Sequence, residues 1–115
     1  MMLVKSEKPV IIIGASGHGK VVADIIQKSG DRVLGFLDDN PDMDKVFIGF
    51  PVLGKVADYE QYKKGNVQFV IAIGNAETRT KIAQRLEDVS WYTAIHPTAV
   101  ISDIDIEIGI GTVIM

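Results

Sequence analysis

The sequence contains no cysteine. Disulfides, thiolate-ligated zinc and a cysteine nucleophile are therefore excluded, and the composition fits a reducing cytoplasm. Charge of one sign is nowhere concentrated. The formal net charge is −3, with no block of five or six like charges, so neither nucleic acid nor an anionic membrane is an expected partner. Long apolar runs are also missing. None approaches the roughly 20 residues of a membrane span. The opening "MMLVKSEKPVIII" lacks the apolar stretch of about 7–15 residues that a secretory signal carries. What remains is an ordinary globular composition, 47% hydrophobic and 23% charged over 115 residues, enough for one domain with a core of normal size. No metal site is expected.

The apolar residues fall into short blocks. Pro9–Ile13 is a continuous run rich in Val and Ile and bounded by Gly14, the pattern of a strand buried on both faces. Pro9 sits at its first position, where a strand tolerates proline. Val21, Val22, Ile25 and Ile26 mark one face of a following helix, with Gly30 as its stop. Arg32–Asn40 reads as a second strand ending on two carboxylates, after which Asn40, Pro41 and Asp42 supply turn chemistry. "IGFPVLGK" is read as irregular and apolar, and "ADYEQYKKG" as a short helix ended by Gly65. Val67–Asn75 is another buried strand. "AETRTKIAQRLEDV" is a helix with Ile82, Ala83, Leu86 and Val89 on one face, and Trp91–Ile95 is a last strand. The alternation implies an α/β fold, a parallel sheet with helices on both faces. After Ile95 the helical period vanishes. "HPTAVISDIDIEIGIGTVIM" reads either as an extra strand pair or as the first coil of a β-solenoid.

Three strand ends carry the candidate chemistry. "IIIGASGHGKVVADII" places Gly14, Gly17 and Gly19 between a strand and a helix, in the order G-x-x-G-x-G. A helix N-terminus offers unpaired N–H groups and the positive end of its dipole, and glycine lets backbone approach a phosphate closely. Ser16, His18 and Lys20 add side-chain donors. The bland alternative is a tight strand–helix connection without a ligand. Asp38 and Asp39 close the second strand, at about the distance where dinucleotide folds place an acid on a ribose hydroxyl. Their alternative role is as solvated turn residues or a helix cap. "AIGNAETR" repeats the design with Gly74, Asn75 and a helix carrying Arg79. Polar ends on one edge of a parallel sheet form the crevice where such sheets bind ligands. The glycine order lacks the tight G-x-G turn of the dinucleotide fingerprint. About 20 residues are left for a second domain, so NAD-dependent redox chemistry is disfavoured.

In this order, "IIIGASGHGKVVADII", "GFLDDN", "PVLG", "FVIAIGNAETR" and "AIHPTAVIS…IGIGTVIM" resemble the sugar O- and N-acetyltransferases of the NeuD/PglD type, in the bacterial hexapeptide-transferase superfamily. The resemblance covers nearly the whole chain after residue 8. It implies a Rossmann-like sugar-nucleotide-binding domain over residues 1–95. Residues 96–115 would then be the truncated first coil of a left-handed parallel β-helix, which in this family trimerises and binds acetyl-CoA. By the same resemblance Gly14, Ser16, Gly17, His18 and Gly19 would line the diphosphate of a nucleotide sugar. Asp38 and Asp39 would sit near the base or ribose, and Gly74, Asn75 and Arg79 would complete the pocket.

The family's catalytic group is a histidine farther along the β-helix, a general base for the attacking sugar amine or hydroxyl. Imidazole suits that task because its pKa lies near neutrality. His18 fits the phosphate cradle and His96 the "HP" entry turn, so the catalytic residue is expected beyond Met115. A solenoid needs roughly three repeats to bury its core. The expectation is therefore an N-terminal piece of a surface-glycan acetyltransferase, cytoplasmic, inactive alone and binding no acetyl-CoA. Residues 101–115 would be loosely attached or paired with another copy's edge. Two other readings stand beside it: a nucleotide-sensing module that binds NAD or another adenine nucleotide, and a structural domain whose pocket is empty.

Overall fold

The structure, a computed structural model, describes residues 8–92 together with the strands Ala94–Ile95 and Val113–Ile114. Its centre is β1 (Pro9–Ile13), where Val10 to Ile13 are all fully buried. α1 (Gly17–Lys28) follows and ends at Ser29 and Gly30, the latter with a φ of +84°. β2 (Arg32–Leu37) lies parallel to β1. A hairpin of β3 (Val46–Phe47) and β4 (Phe50–Gly54) comes next, then a 3-10 helix (Val56–Gln61), β5 (Gln68–Ile71), α2 (Ala76–Arg85) and β6 (Ser90–Trp91).

The strands form one sheet in the order β3-β4-β2-β1-β5-β6. All neighbours are parallel except β3 and β4. The chain builds outward from β1 to β2 and β4, then returns to the other side of β1 for β5 and β6. Its switch point therefore lies between β1 and β5, and the crevice outside the strand ends at such a point is where doubly wound sheets take ligands.

Both faces are covered, as the uninterrupted β1 run implies. Val10, Ile12, Phe36 and Val70 meet Val22, Ile25 and Ile26 of α1. Ile11, Ile13, Leu37, Phe69 and Ile71 meet Ile82 of α2 and Leu86 just after it, with Val56 and Tyr59 of the 3-10 helix. Four sequence expectations need correction. Val21 is 43% exposed, so the buried face of α1 is Gly19, Val22, Ala23, Ile25 and Ile26. Ala83 is exposed on α2. "IGFPVLGK" is not irregular, since its Phe50–Gly54 portion is a sheet strand beside β2. Trp91–Ile95 is not one strand. Ser90–Trp91 closes the main sheet, and β7 (Ala94–Ile95) pairs in parallel with β8 (Val113–Ile114) in a second sheet.

Tyr92 fixes the place where the chain leaves the main sheet. Its N–H donates to the Phe69 carbonyl at 2.8 Å. Its buried hydroxyl donates to Asp31 Oδ2 at 2.7 Å, and the other Asp31 oxygen accepts from the Lys8 N–H at 3.1 Å. The readings made for residues 96–112 and Met115 lie outside the described residues.

Candidate functional site

The C-terminal ends of β1, β2 and β5 surround a cleft of about 330 Å³. Ile13, Leu37 and Ile73 form its floor, and Val56 of the 3-10 helix, with Thr78 and Ile82 of α2, its sides. Gly14, Ser16, Asp38, Asp39 and Gly74 complete the lining. The structure thus brings together five of the residues singled out from the sequence.

Gly14 stands at φ +111°, a conformation that side chains rarely adopt, and a Cβ there would lie 2.8 Å from the Ala72 carbonyl oxygen. Gly19 is buried, and a Cβ on it would collide with the Gly14 carbonyl and press on Phe36. Its bareness lets α1 pack down on the sheet. Gly17 differs from both. It is exposed, its φ is not positive, and nothing lies within 4 Å of where a Cβ would stand. The fold itself makes no demand for glycine at this position.

The two helix N-termini beside the cleft are not equivalent. At α2, the Asn75 side chain accepts from the Thr78 N–H at 2.9 Å, an ordinary N-cap. At α1, the Ser16 side chain makes no such bond, no acid stands in the first turn, and Lys20 is the first residue whose N–H finds a backbone partner. The exposed N–H groups of Gly17 and His18 are thus unpaired among the described residues, at the positive end of the helix dipole. The His18 ring lies across from Gly74, whose added Cβ would approach Cε1 to 3.2 Å. His18 consequently bridges the starts of the two helices.

Asp38 and Asp39 have separate duties. Asp38 Oδ2 accepts from the Ala15 N–H at 2.8 Å and Oδ1 from the Asn40 N–H at 2.8 Å. Both oxygens therefore already brace the glycine loop and the turn after β2. Asp39 Oδ1 accepts from the Val56 N–H at 2.9 Å, while Oδ2 faces Arg85 at 3.7 Å in a half-exposed pair. Arg79 points back along α2, with Nη1 at 3.4 Å from the Ile73 carbonyl, and is not in the cleft lining. The sequence reading missed Val56 and Thr78, and gave Ile82 a place in the core but none in the cleft. Val56 had no signal, because its strand–helix context was itself unread. Thr78 and Ile82 lie four apart on α2, one helical turn, and that spacing would have placed Thr78 above the recognised Ile82.

Among the described residues no three His, Asp or Glu side chains group as metal ligands, and no helix is long and apolar enough to cross a membrane.

The mainly parallel sheet, its switch-point cleft at the strand ends and the uncapped glycine turn define a Rossmann-like α/β domain. The chain belongs to the PglD N-terminal domain family, which matches residues 9–86. A UDP-N-acetylbacillosamine N-acetyltransferase of Bacillus subtilis is 37% identical over 116 residues, covering 94% of this chain and 51% of that protein. Among solved structures, the acetyltransferase domain of PglB from Neisseria gonorrhoeae, in complex with acetyl coenzyme A, superposes with a TM-score of 0.71 at 29% identity. It covers 80% of this chain and 45% of its own. PerB of Caulobacter crescentus, in complex with CoA and GDP-perosamine, gives a TM-score of 0.70 at 30% identity, covering 87% of this chain and 47% of its own. The chain spans about half the length of these three proteins.

Proposed function

We propose that this chain is the substrate-binding N-terminal part of an acetyl-CoA-dependent sugar N- or O-acetyltransferase, and that its cleft holds a nucleotide-linked sugar. One observation carries the reading. Gly17 is bare without any need of the fold, and it stands at a helix start whose exposed N–H groups have no partner. A diphosphate uses both properties, since the missing side chain admits its oxygens to the backbone donors. The Ser16 hydroxyl and the His18 ring add donors from the same turn. The nucleoside then lies along the apolar floor toward Asp39.

In the transfer itself, the sugar nitrogen or oxygen attacks the acetyl carbonyl, its proton passes to a base, and the CoA thiolate leaves. The residues described here bind and orient the acceptor for that step. The base, acetyl-CoA and the trimer contacts belong to the β-helical half. The division at residue 95 and a coil beginning in 96–115 are part of this proposal. They are supported by the parallel pairing of Ala94 with Val113, 19 positions on, in a sheet of its own. A cytoplasmic location follows from the same reading, where activated sugars and acetyl-CoA meet.

The NAD alternative is weakened by Asp38. In a dinucleotide site an acid after the second strand holds the ribose hydroxyls, and here both Asp38 oxygens already hold backbone. Calorimetric titration with UDP-, GDP- and CMP-linked sugars, NAD and acetyl-CoA is the test. The expected outcome is binding of a nucleotide sugar that Gly17→Val weakens at least tenfold with the fold intact. Tight NAD binding without a sugar response, or undiminished binding by Gly17→Val, would refute the assignment.

A further inference from the structure

The cleft is bordered by two elements that no strand ladder joins. The 3-10 helix presents Val56 and α2 presents Ile82 and Thr78. Their separation sets the width of the apolar slot. One side chain that neither lines the cleft nor stood out in the sequence ties the two elements together. Tyr59 is 7% exposed, and its ring packs edge-on against Phe69 at 6.4 Å. Its hydroxyl donates to the Arg85 carbonyl at 3.2 Å and accepts from the Glu87 N–H at 3.3 Å. A single oxygen thus holds the 3-10 helix against the C-terminal end of α2, using the Arg85 carbonyl that the helix end leaves over and the N–H of Glu87 just beyond it. Asp39 closes the loop from the cleft side, with the Val56 N–H on one oxygen and Arg85 facing the other.

We propose that Tyr59 is a positioning residue that sets the slot width and thereby selects the size of the nucleobase, one ring or two. This rests on the reading of the cleft as a nucleotide-sugar site. The slot's surfaces, Ile13, Leu37, Val56 and Ile82, are aliphatic and suit a flat heterocycle. An aliphatic slot discriminates by dimension, and dimension is lost when its walls are untied.

The experiment compares UDP- and GDP-linked sugar affinities for the 115-residue chain and two variants. Tyr59→Phe keeps the ring on Phe69 and deletes both hydroxyl bonds. Val56→Ala widens the same slot directly, and serves if the first variant folds poorly. The clamp predicts that the wild-type ratio of the two affinities moves toward one by roughly fivefold or more in Tyr59→Phe, and in the same direction in Val56→Ala. Equal weakening of both ligands assigns Tyr59 a purely structural role and overturns the proposal, as does a wild-type ratio already near one. Wild-type protein that binds neither ligand overturns the clamp, and if CMP-linked sugars are also unbound it overturns the cleft assignment as well. Wild-type binding with an unaltered ratio in Tyr59→Phe overturns the clamp alone.

Discussion

Gly19 cannot accept a methyl group, whereas Gly17 can. Gly19→Ala drives a Cβ into the Gly14 carbonyl, a backbone atom that cannot rotate away. It should cost about 1–3 kcal/mol, as overpacking usually does. Gly17→Ala should leave stability unchanged or raise it by a few tenths of a kcal/mol, by the better helix propensity of alanine. Urea unfolding of both variants distinguishes the two roles. The sequence revealed all three glycines but not this division. It depends on Phe36, from β2, and on Ala72, just past the end of β5. Tyr92 makes a second residue-level prediction. Burial, then the hydrogen bond and charge of Asp31, push its hydroxyl pKa well above the ordinary value. The folded state thus holds this proton more tightly than the unfolded chain. The resulting stability is complete below about pH 10 and is lost as pH rises beyond it. Tyr92→Phe should lower stability by about 1–3 kcal/mol at neutral pH and flatten its decline at alkaline pH. Denaturant midpoints from pH 7 to 11 measure both effects.

At the scale of elements, continuous apolar runs were the most legible feature. β1 and β5 are buried on both faces and read as strands directly. β4 was hidden because Pro51 and Gly54 interrupt it, and its pairing with β2 is short and irregular. In β2, strict alternation would put Val33, Gly35 and Leu37 on one face. A register shift opposite Val10 and Ile11 inserts one residue, so Val33 and Phe36 share the α1 face and Leu37 turns toward the cleft. No local pattern announces that bulge. The β3–β4 turn contains another departure. Ile48 has a φ of +46° and Gly49 of +85°, and a β-branched residue is poorly suited to the left-handed region. Ile48→Asn should stabilise the chain by up to about 1 kcal/mol. At α2, Asn75→Ala should remove about 1 kcal/mol with its N-cap bond. Thermal unfolding of the two variants should show shifts of opposite sign.

For the whole molecule, the alternation of strands and helices correctly implied a mainly parallel sheet with flanking helices, but not its antiparallel β3–β4 edge. What it did not supply was strand order. The order depends on which edge each crossover returns to, and it alone places the ends of β1, β2 and β5 around a single cleft. Occupancy of that cleft should be visible in global stability. A nucleotide sugar at about a hundred times its Kd would add roughly 2.7 kcal/mol, a rise in Tm of the order of 10 °C for a domain of this size. Differential scanning fluorimetry with and without the ligand tests this, and a flat response to every nucleotide sugar would count against the cleft as their site.

The bracing of Ala15 and Asn40 by Asp38 has a kinetic consequence. The glycine turn is already built before anything arrives, so an incoming anion would not have to wait for a loop to order. Association should follow a single exponential whose rate rises linearly with ligand concentration, with no plateau marking a slow closing step. Asp38→Asn, which weakens the brace while keeping its shape, should introduce such a plateau in stopped-flow traces.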